Sequence, residues 1–412
     1  MVAFTFVAMS ILFVIFIYFL CLRKERKVIN IMTPYLLITF PILYVFEIVY
    51  LSITKDSINT VGYIFFYTCY LISILFFTVF YLYSQDIKIP PYKKDCVVNI
   101  KIGRYSFFAF LFTIMSIVFY LPVILEFKDL LLQPRRIYEQ TRTGYGVYFY
   151  TSIVLSQIAL LFSFYLLNKK TLYSSIIIIS NVLLILIHGN KGPLIIAFVS
   201  YLMFQSYVLR KEIKIKYLLI ACGFLAALVS LFFIYTYDNN NNVFINMAYY
   251  SDYTRNAVLL MTKDWSFEYG RLMLESEIYS RIPRALLPSK PEDFGYLYIA
   301  KVLYPIEFYR NQGAPAFGYG EYYADFGLYT PLYLAISGAV KGVIAKYFHN
   351  MLLKDNNIYV FIPFIFSCGV GIIPVSMGYL LPEHLFIAFS LYILINIVAF
   401  VSRGRRKSFT ER

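Results

Sequence analysis

The chain has 412 residues, 60% of them apolar and only 15% charged, with a mean hydropathy of +0.67 and a formal net charge of +14. An average soluble domain carries about 25% charged residues, so a soluble globular protein is excluded, as is a disordered chain, which would be polar and charge-rich. The unbroken apolar runs exclude an outer-membrane barrel, whose strands alternate in and out, and leave an all-α polytopic membrane protein.

A span needs about 20 apolar residues. About eleven stretches approach that length: 2–22, 28–50, 61–83, 105–125, 148–167, 171–187, 193–209, 217–235, 328–348, 358–380 and 384–401. The first is expected to stay as a span, because it lacks the basic n-region and small-residue cleavage site of a signal peptide. Basic residues follow alternate runs: Arg23, Lys24, Arg26 and Lys27, then Lys88, Lys93, Lys94, Lys101 and Arg104, then Lys169 and Lys170. Arg210, Lys211, Lys214 and Lys216 come next, and Arg403, Arg405, Arg406 and Lys407 close the series. By the positive-inside rule these segments are cytoplasmic, which predicts an outer N-terminus and a cytoplasmic C-terminus. Most of the positive charge is then an orientation signal, and no nucleic-acid partner is expected. The five cysteines lie in or beside spans or on the inner side, so neither a disulfide framework nor a metal spacing is offered.

Two outer connections are long. Residues 126–147 hold Arg135, Arg136 and Arg142, and residues 236–327 form a 92-residue loop. The chain thus divides into an N-terminal bundle of eight spans (1–235), the large outer loop (236–327) and a C-terminal bundle of three spans with a basic tail (328–412). A loop of that length implies a functional element with its own structure. Short helices are expected at 246–263 and 267–279, with Pro283, Pro288 and Pro291 ending regular structure. No internal repeat of the transporter kind is visible. The spans are nearly free of charge. Glu47 sits near the outer end of its span, and Lys341 can snorkel inward.

Polar chemistry is therefore expected at the outer face. Asp252 and Arg255 stand in an aromatic-rich segment, 249–256. Arg281, Arg284 and Lys290 fall within ten residues among prolines, a pattern suited to an anion because the arginine fork bonds two oxygens at once. An interfacial basic patch pairing with lipid headgroups explains them equally well. Glu321 and Asp325, four residues apart after a glycine-rich stretch, share a face if that stretch begins a helix. Either could be a general base, or both could simply favour a helix N-terminus. Lys191, in the tight turn 188–193, could meet an anionic headgroup or merely be solvated. His384 is a candidate acid–base residue or a structural histidine. The 13 tyrosines of the large loop, Tyr322 included, could stack on sugar rings or anchor at the interface.

These features together resemble the bacterial O-antigen and capsular repeat-unit polymerases of the Wzy type, which have ten to fourteen spans and one large periplasmic loop late in the chain. The likeness in layout covers the whole chain, and that at residue level about 190–327. Residues 250–256 are similar to the family's aromatic–acid–arginine segment, 281–291 to its Ile-Pro-Arg…Pro…Lys-Pro segment, and 320–327 to its Glu-Tyr…Phe-Gly entry to the next span. Lys191 stands where an arginine is expected after the Gly-rich outer turn. Arg135 with Gly146 and Arg284 with Gly295 match the spacing of arginine followed by glycine eleven positions on that some members carry.

The resemblance implies a metal-independent, cofactor-free glycosyl transfer at the outer face of the inner membrane. The donor is a polyprenyl-diphosphate-linked glycan, and the acceptor is a hydroxyl of another lipid-linked repeat unit. Glu321 is then the first choice for the base, with Asp252 and His384 behind it. Arg255, Arg281, Arg284, Lys290, Arg135, Arg136, Arg142, Lys191 and Tyr322 become substrate-binding candidates. Expected partners are the lipid-linked substrates, membrane lipids, a chain-length regulator and a flippase. The rivals are an O-antigen ligase, which differs only in acceptor, and a lipid-linked oligosaccharide flippase or other transporter, which should have charged spans and short loops. A non-catalytic assembly scaffold is a third reading, and it would tolerate the loss of single arginines.

Overall fold

The computed structural model describes residues 2–54, 59–84, 102–131, 133–134, 136–137, 141, 145–190, 192–220, 222–223, 227, 251–279, 282, 286–310, 315–371 and 385–398. All regular structure among them is helical. Six helices are long and apolar enough to cross a membrane: Thr5–Glu25, Tyr35–Ile53, Thr60–Tyr83, Gly103–Glu126, Gly146–Leu166 and Gly320–Lys354. Shorter apolar helices cover Thr171–Ile187, Gly192–Val208, Ile358–Ser367 and Leu385–Val398. In hydrocarbon no water can satisfy a backbone N–H or C=O, so a helix is the form an apolar run must take. The expected span 217–235 and the second half of 358–380 fall largely outside the described residues.

We number the helices in chain order. α1 (Val2–Glu25), α2 (Phe46–Thr54) and α3 (Thr60–Tyr83) open the chain. α2 continues two π-helical turns, Tyr35–Thr39 and Pro41–Val45. Pro41 brings no N–H to the ladder, and a wider turn accommodates the missing bond. α3 starts where the Asn59 side chain accepts from the Gly62 N–H at 3.1 Å, an N-cap ahead of an apolar run. α4 (Ile102–Glu126), α5 (Gly146–Leu166), α6 (Thr171–Ile187) and α7 (Gly192–Met203) follow. The large connecting segment contributes α8 (Asp252–Met261), α9 (Arg271–Tyr279), α10 (Leu297–Leu303), α11 (Pro305–Arg310) and α12 (Gly320–Phe326). α8 and α9 lie inside the two stretches expected to be helical. α13 (Thr330–Lys354), α14 (Ile358–Ser367) and α15 (Leu385–Val398) complete the order.

The chain divides into two compact units. The first comprises residues 1–84 and 219–343, so the helices of the large segment belong with α1–α3 and the start of α13. Inside it, α13 meets α3 at two glycines. A Cβ on Gly338 would stand 2.4 Å from the Ser73 carbonyl oxygen, and one on Gly342 2.4 Å from that of Phe77. Lipid tails are as apolar as leucine, so helices in a bilayer associate through close packing, and small residues four apart allow it.

The second unit comprises residues 85–218 and 344–412. Tyr120, Val123, Ile137, Phe149, Ile153 and Leu184 form a buried cluster in it. Next to that cluster, Ser116 Oγ donates to the Ser152 carbonyl at 2.7 Å and Ser152 Oγ donates to the Ser116 carbonyl at 2.8 Å. His188 is buried, with Nε2 2.9 Å from Ser152 Oγ and its ring centroid 4.0 Å from that of Tyr120. The histidine of the expected outer turn is thus a packing element between helices. The turn itself is closed by Asn190, whose side chain accepts from the Gly192 N–H at 3.1 Å.

Candidate functional site

Ser251, Asp252 and Arg255 form a polar group at the N-terminus of α8. Arg255 Nε donates to Ser251 Oγ at 2.6 Å, and its Nη2 is ion-paired to Asp252 Oδ1 one turn earlier. Its guanidinium carbon lies 3.9 Å from the centroid of the Tyr50 ring of α2. Three partners hold the fork in one orientation, as cation–π and i,i+3 contacts do. Burial pushes the Asp252 carboxyl up from the usual carboxylate range, while Arg255 pulls it down.

A second carboxylate, Glu47 of α2, lies within electrostatic range of both Arg255 and Asp252. It is 1% exposed. The Tyr63 hydroxyl of α3 donates to Glu47 Oε1, and Tyr67 donates to the Leu43 carbonyl at 2.7 Å. Glu47 Oε2 has no hydrogen-bond partner among the described residues.

Asn256 ties the rest of the segment to α8. Its Nδ2 donates to the Ala316 carbonyl at 2.9 Å, and its Oδ1 accepts from the Tyr304 hydroxyl at 2.7 Å. The glycine-rich stretch then runs against the same helix. Gly318 has φ +50°, and a Cβ there would stand 2.8 Å from the Tyr253 carbonyl oxygen; one on Gly320 would be 2.8 Å from Ala257 Cα. These glycines allow the backbone to approach its own α8.

Glu321 and Asp325 have different surroundings. Glu321 is half-buried at the start of α12. It shares no hydrogen bond with Arg255. Asp325 is fully buried, and its two oxygens accept from the Leu272 N–H at 3.0 Å and the Met273 N–H at 2.8 Å. It therefore caps α9, not its own helix, and satisfies two of the N–H groups a helix start leaves open. Tyr322 is half-buried in an aromatic group, its ring 5.3 Å from Tyr333, 6.3 Å from Tyr319 and 6.4 Å from Tyr296.

Of the other candidates, Lys290 turns back on its own loop. Its Nζ donates to the Ile282 carbonyl at 3.1 Å and lies 4.3 Å over the Phe294 ring. Arg136 is exposed and belongs to the second unit. Arg135, Arg142, Lys191, Arg281, Arg284 and His384 lie outside the described residues. Gly295, eleven positions after Arg284, has φ +59°, and a Cβ there would meet Ser276 Oγ at 2.1 Å. The backbone geometry of that turn explains this glycine. Sequence reasoning passed over Glu47 as a site residue. The available signal was a carboxylate in an otherwise apolar span, which is a functional pointer by default. It also missed Arg271, which bonds Glu268 at 2.9 Å and Glu275 at 2.8 Å and braces the start of α9. Among the described residues no group of three or more His, Cys, Asp or Glu side chains could hold a metal ion.

Membrane-length helices bearing a folded polar segment, with arginine, carboxylate and tyrosine gathered where that segment meets two helix ends, define a polytopic membrane protein with a polar site built on its own helices. The chain is 49% identical over 398 residues to the O-antigen polymerase of Salmonella typhimurium (strain LT2), covering 97% of each chain, and equally so to that of Salmonella typhi. It belongs to the O-antigen polymerase family. No family model matches it, and no solved structure does.

Proposed function

We propose that this protein joins polyprenyl-diphosphate-linked oligosaccharide repeat units into O-antigen at the outer face of the inner membrane. The observation that carries this reading is the near-half identity to O-antigen polymerases over almost the whole of both chains. The site chemistry agrees with it. The acceptor hydroxyl attacks the anomeric carbon of the donor glycan, the bond to the diphosphate breaks, and the lipid diphosphate leaves with the electron pair. Fixed cations stabilise the charge that develops on it without a metal. Arg255 is pre-oriented for that task, and Arg281, Arg284 and Lys290 are proposed to share it, with Arg135, Arg136, Arg142 and Lys191 as further contacts.

Glu321 is proposed as the base that takes the acceptor proton, because unlike Asp252 it is not committed to an arginine and unlike Asp325 it does not cap a helix. Asp252 and His384 are the next candidates. Eleven spans, with the N-terminus outside and the C-terminus in the cytoplasm, would put the large segment at the height of the lipid diphosphate. A ligase or a flippase is not favoured, because both relatives carry the polymerase name.

The experiment is polymerisation by purified protein supplied with lipid-linked repeat units. Glu321→Gln keeps the size and hydrogen-bonding capacity of the side chain but cannot accept the proton, and it should abolish polymer while the protein still folds and binds substrate. A near-normal rate from Glu321→Gln moves the base to Asp252 or His384. Absence of polymer from the wild type, with transfer of glycan to another acceptor, would replace the polymerase reading.

A further inference from the structure

Glu47 is a carboxylate in an apolar helix, 1% exposed, with one oxygen held by Tyr63 and the other without a hydrogen-bond partner among the described residues. Burying a carboxylate oxygen without a donor is unfavourable, and such groups persist where function requires them. Among the described residues no ion pair joins Glu47 to Arg255, whose Nε bonds Ser251 Oγ and whose Nη2 pairs with Asp252. The open oxygen is thus left without a donor among the described residues, and a ligand can supply one. That donor must be neutral or positive, since an anionic carboxylate beside Asp252 repels a phosphate. Within reach of the same field is an arginine suited to a phosphate. A molecule carrying both a hydroxyl donor and a phosphate fits the pair, and a sugar joined to a diphosphate is that molecule.

We propose that Glu47 is a substrate-binding residue whose Oε2 accepts a hydrogen bond from a hydroxyl of the lipid-linked glycan, with Tyr63 fixing the carboxylate and Arg255 beside it facing the diphosphate. This assignment rests on the reading of the chain as an enzyme of lipid-linked oligosaccharides. With Tyr50, it extends onto α2 a site otherwise built from the connecting segment. It also gives that site a means of telling a glycosylated lipid diphosphate from a bare one: an acceptor unpaired in the free protein gains a donor only from the ligand that carries the hydroxyl.

The test measures binding by the full-length, detergent-solubilised protein of two probes, a polyprenyl-diphosphate-linked oligosaccharide and polyprenyl diphosphate alone. The wild type should bind the glycosylated lipid more tightly. Glu47→Gln should weaken binding of the glycosylated lipid at least about tenfold and leave the bare lipid unchanged. Its thermal midpoint should equal or exceed that of the wild type, because an unpaired buried charge has been removed. A purely structural role predicts the opposite pattern, a lowered midpoint with unchanged preference between the probes. If Glu47→Gln does not accumulate, Tyr63→Phe serves instead. It keeps the charge, frees its orientation and should weaken only the glycosylated probe. Equal loss of both probes, or unchanged preference in the variant that folds, overturns the proposal. A wild type that shows the preference yet makes no polymer supports the Glu47 assignment and overturns the polymerase reading, so the two fail separately.

Discussion

The Arg255 guanidinium lies 3.9 Å from the centre of the Tyr50 ring, joining the first turn of α8 to the middle of α2 across some two hundred residues of chain. That contact fixes the plane of the fork, while Ser251 and Asp252 fix its rotation. A lysine at this position would keep the charge but lose the paired donors and the flat face against the ring. Arg255→Lys is therefore expected to slow polymerisation about tenfold or more, and Arg255→Ala about a hundredfold or more. Initial rates with lipid-linked repeat units, at matched protein levels, check both.

Asp325 holds α9 through two backbone N–H groups. Asp325→Ala leaves two donors at a buried helix start without an acceptor and should destabilise the protein by about 2–4 kcal/mol. Asp325→Asn retains one acceptor oxygen and loses the charge, for about 1 kcal/mol. Thermal unfolding in detergent should rank wild type, Asn and Ala in that order, with Asp325→Asn still making reduced but measurable polymer.

Gly338 and Gly342 let α13 approach the α3 backbone. Gly342→Leu forces the helices apart and should cost about 1–3 kcal/mol through overpacking. Gly→Ala at either position is expected to be damaging as well, because the obstructing atoms are backbone carbonyls that cannot rotate away. The steady-state level of each variant in the membrane reads the effect.

The hydrogen bond from Lys301 to Asp293, 2.7 Å long, holds the Asp293 carboxyl below the usual carboxylate range. A carboxyl whose folded pKa lies below its unfolded value of about 3.9 favours the folded state at every pH above that value. The contribution fades as the pH falls through the folded pKa. The pair is partly exposed, so the effect is small. Asp293→Asn should lower the thermal midpoint slightly at neutral pH, and the gap from wild type should close as the pH is brought below about 3.

Charge alternation predicts the side on which each connection lies. A reporter fused after Lys216 should be cytoplasmic, and one inserted near Asn240 should be on the opposite side. The same side for both would show that the span between them is absent and the count of eleven is wrong.

The helical membrane class and the positions of the longer helices were legible in the sequence alone. An apolar run of about twenty residues in hydrocarbon has no water to satisfy its backbone, so helix follows from composition with no knowledge of neighbours. Asp252 and Arg255 could be paired in advance because i,i+3 neighbours meet on any helix. Which distant groups meet was decided only in three dimensions. Glu47 with Tyr63, Asp325 with the start of α9, and two glycines of α13 with the carbonyls of α3 are contacts between separate elements. Glu321 and Asp325 share a spacing and a chemistry, yet one caps a helix some fifty residues back and the other does not. The direction in which each carboxylate finds its donors depends on how α12 packs against its neighbours, and that packing is a property of the assembled chain.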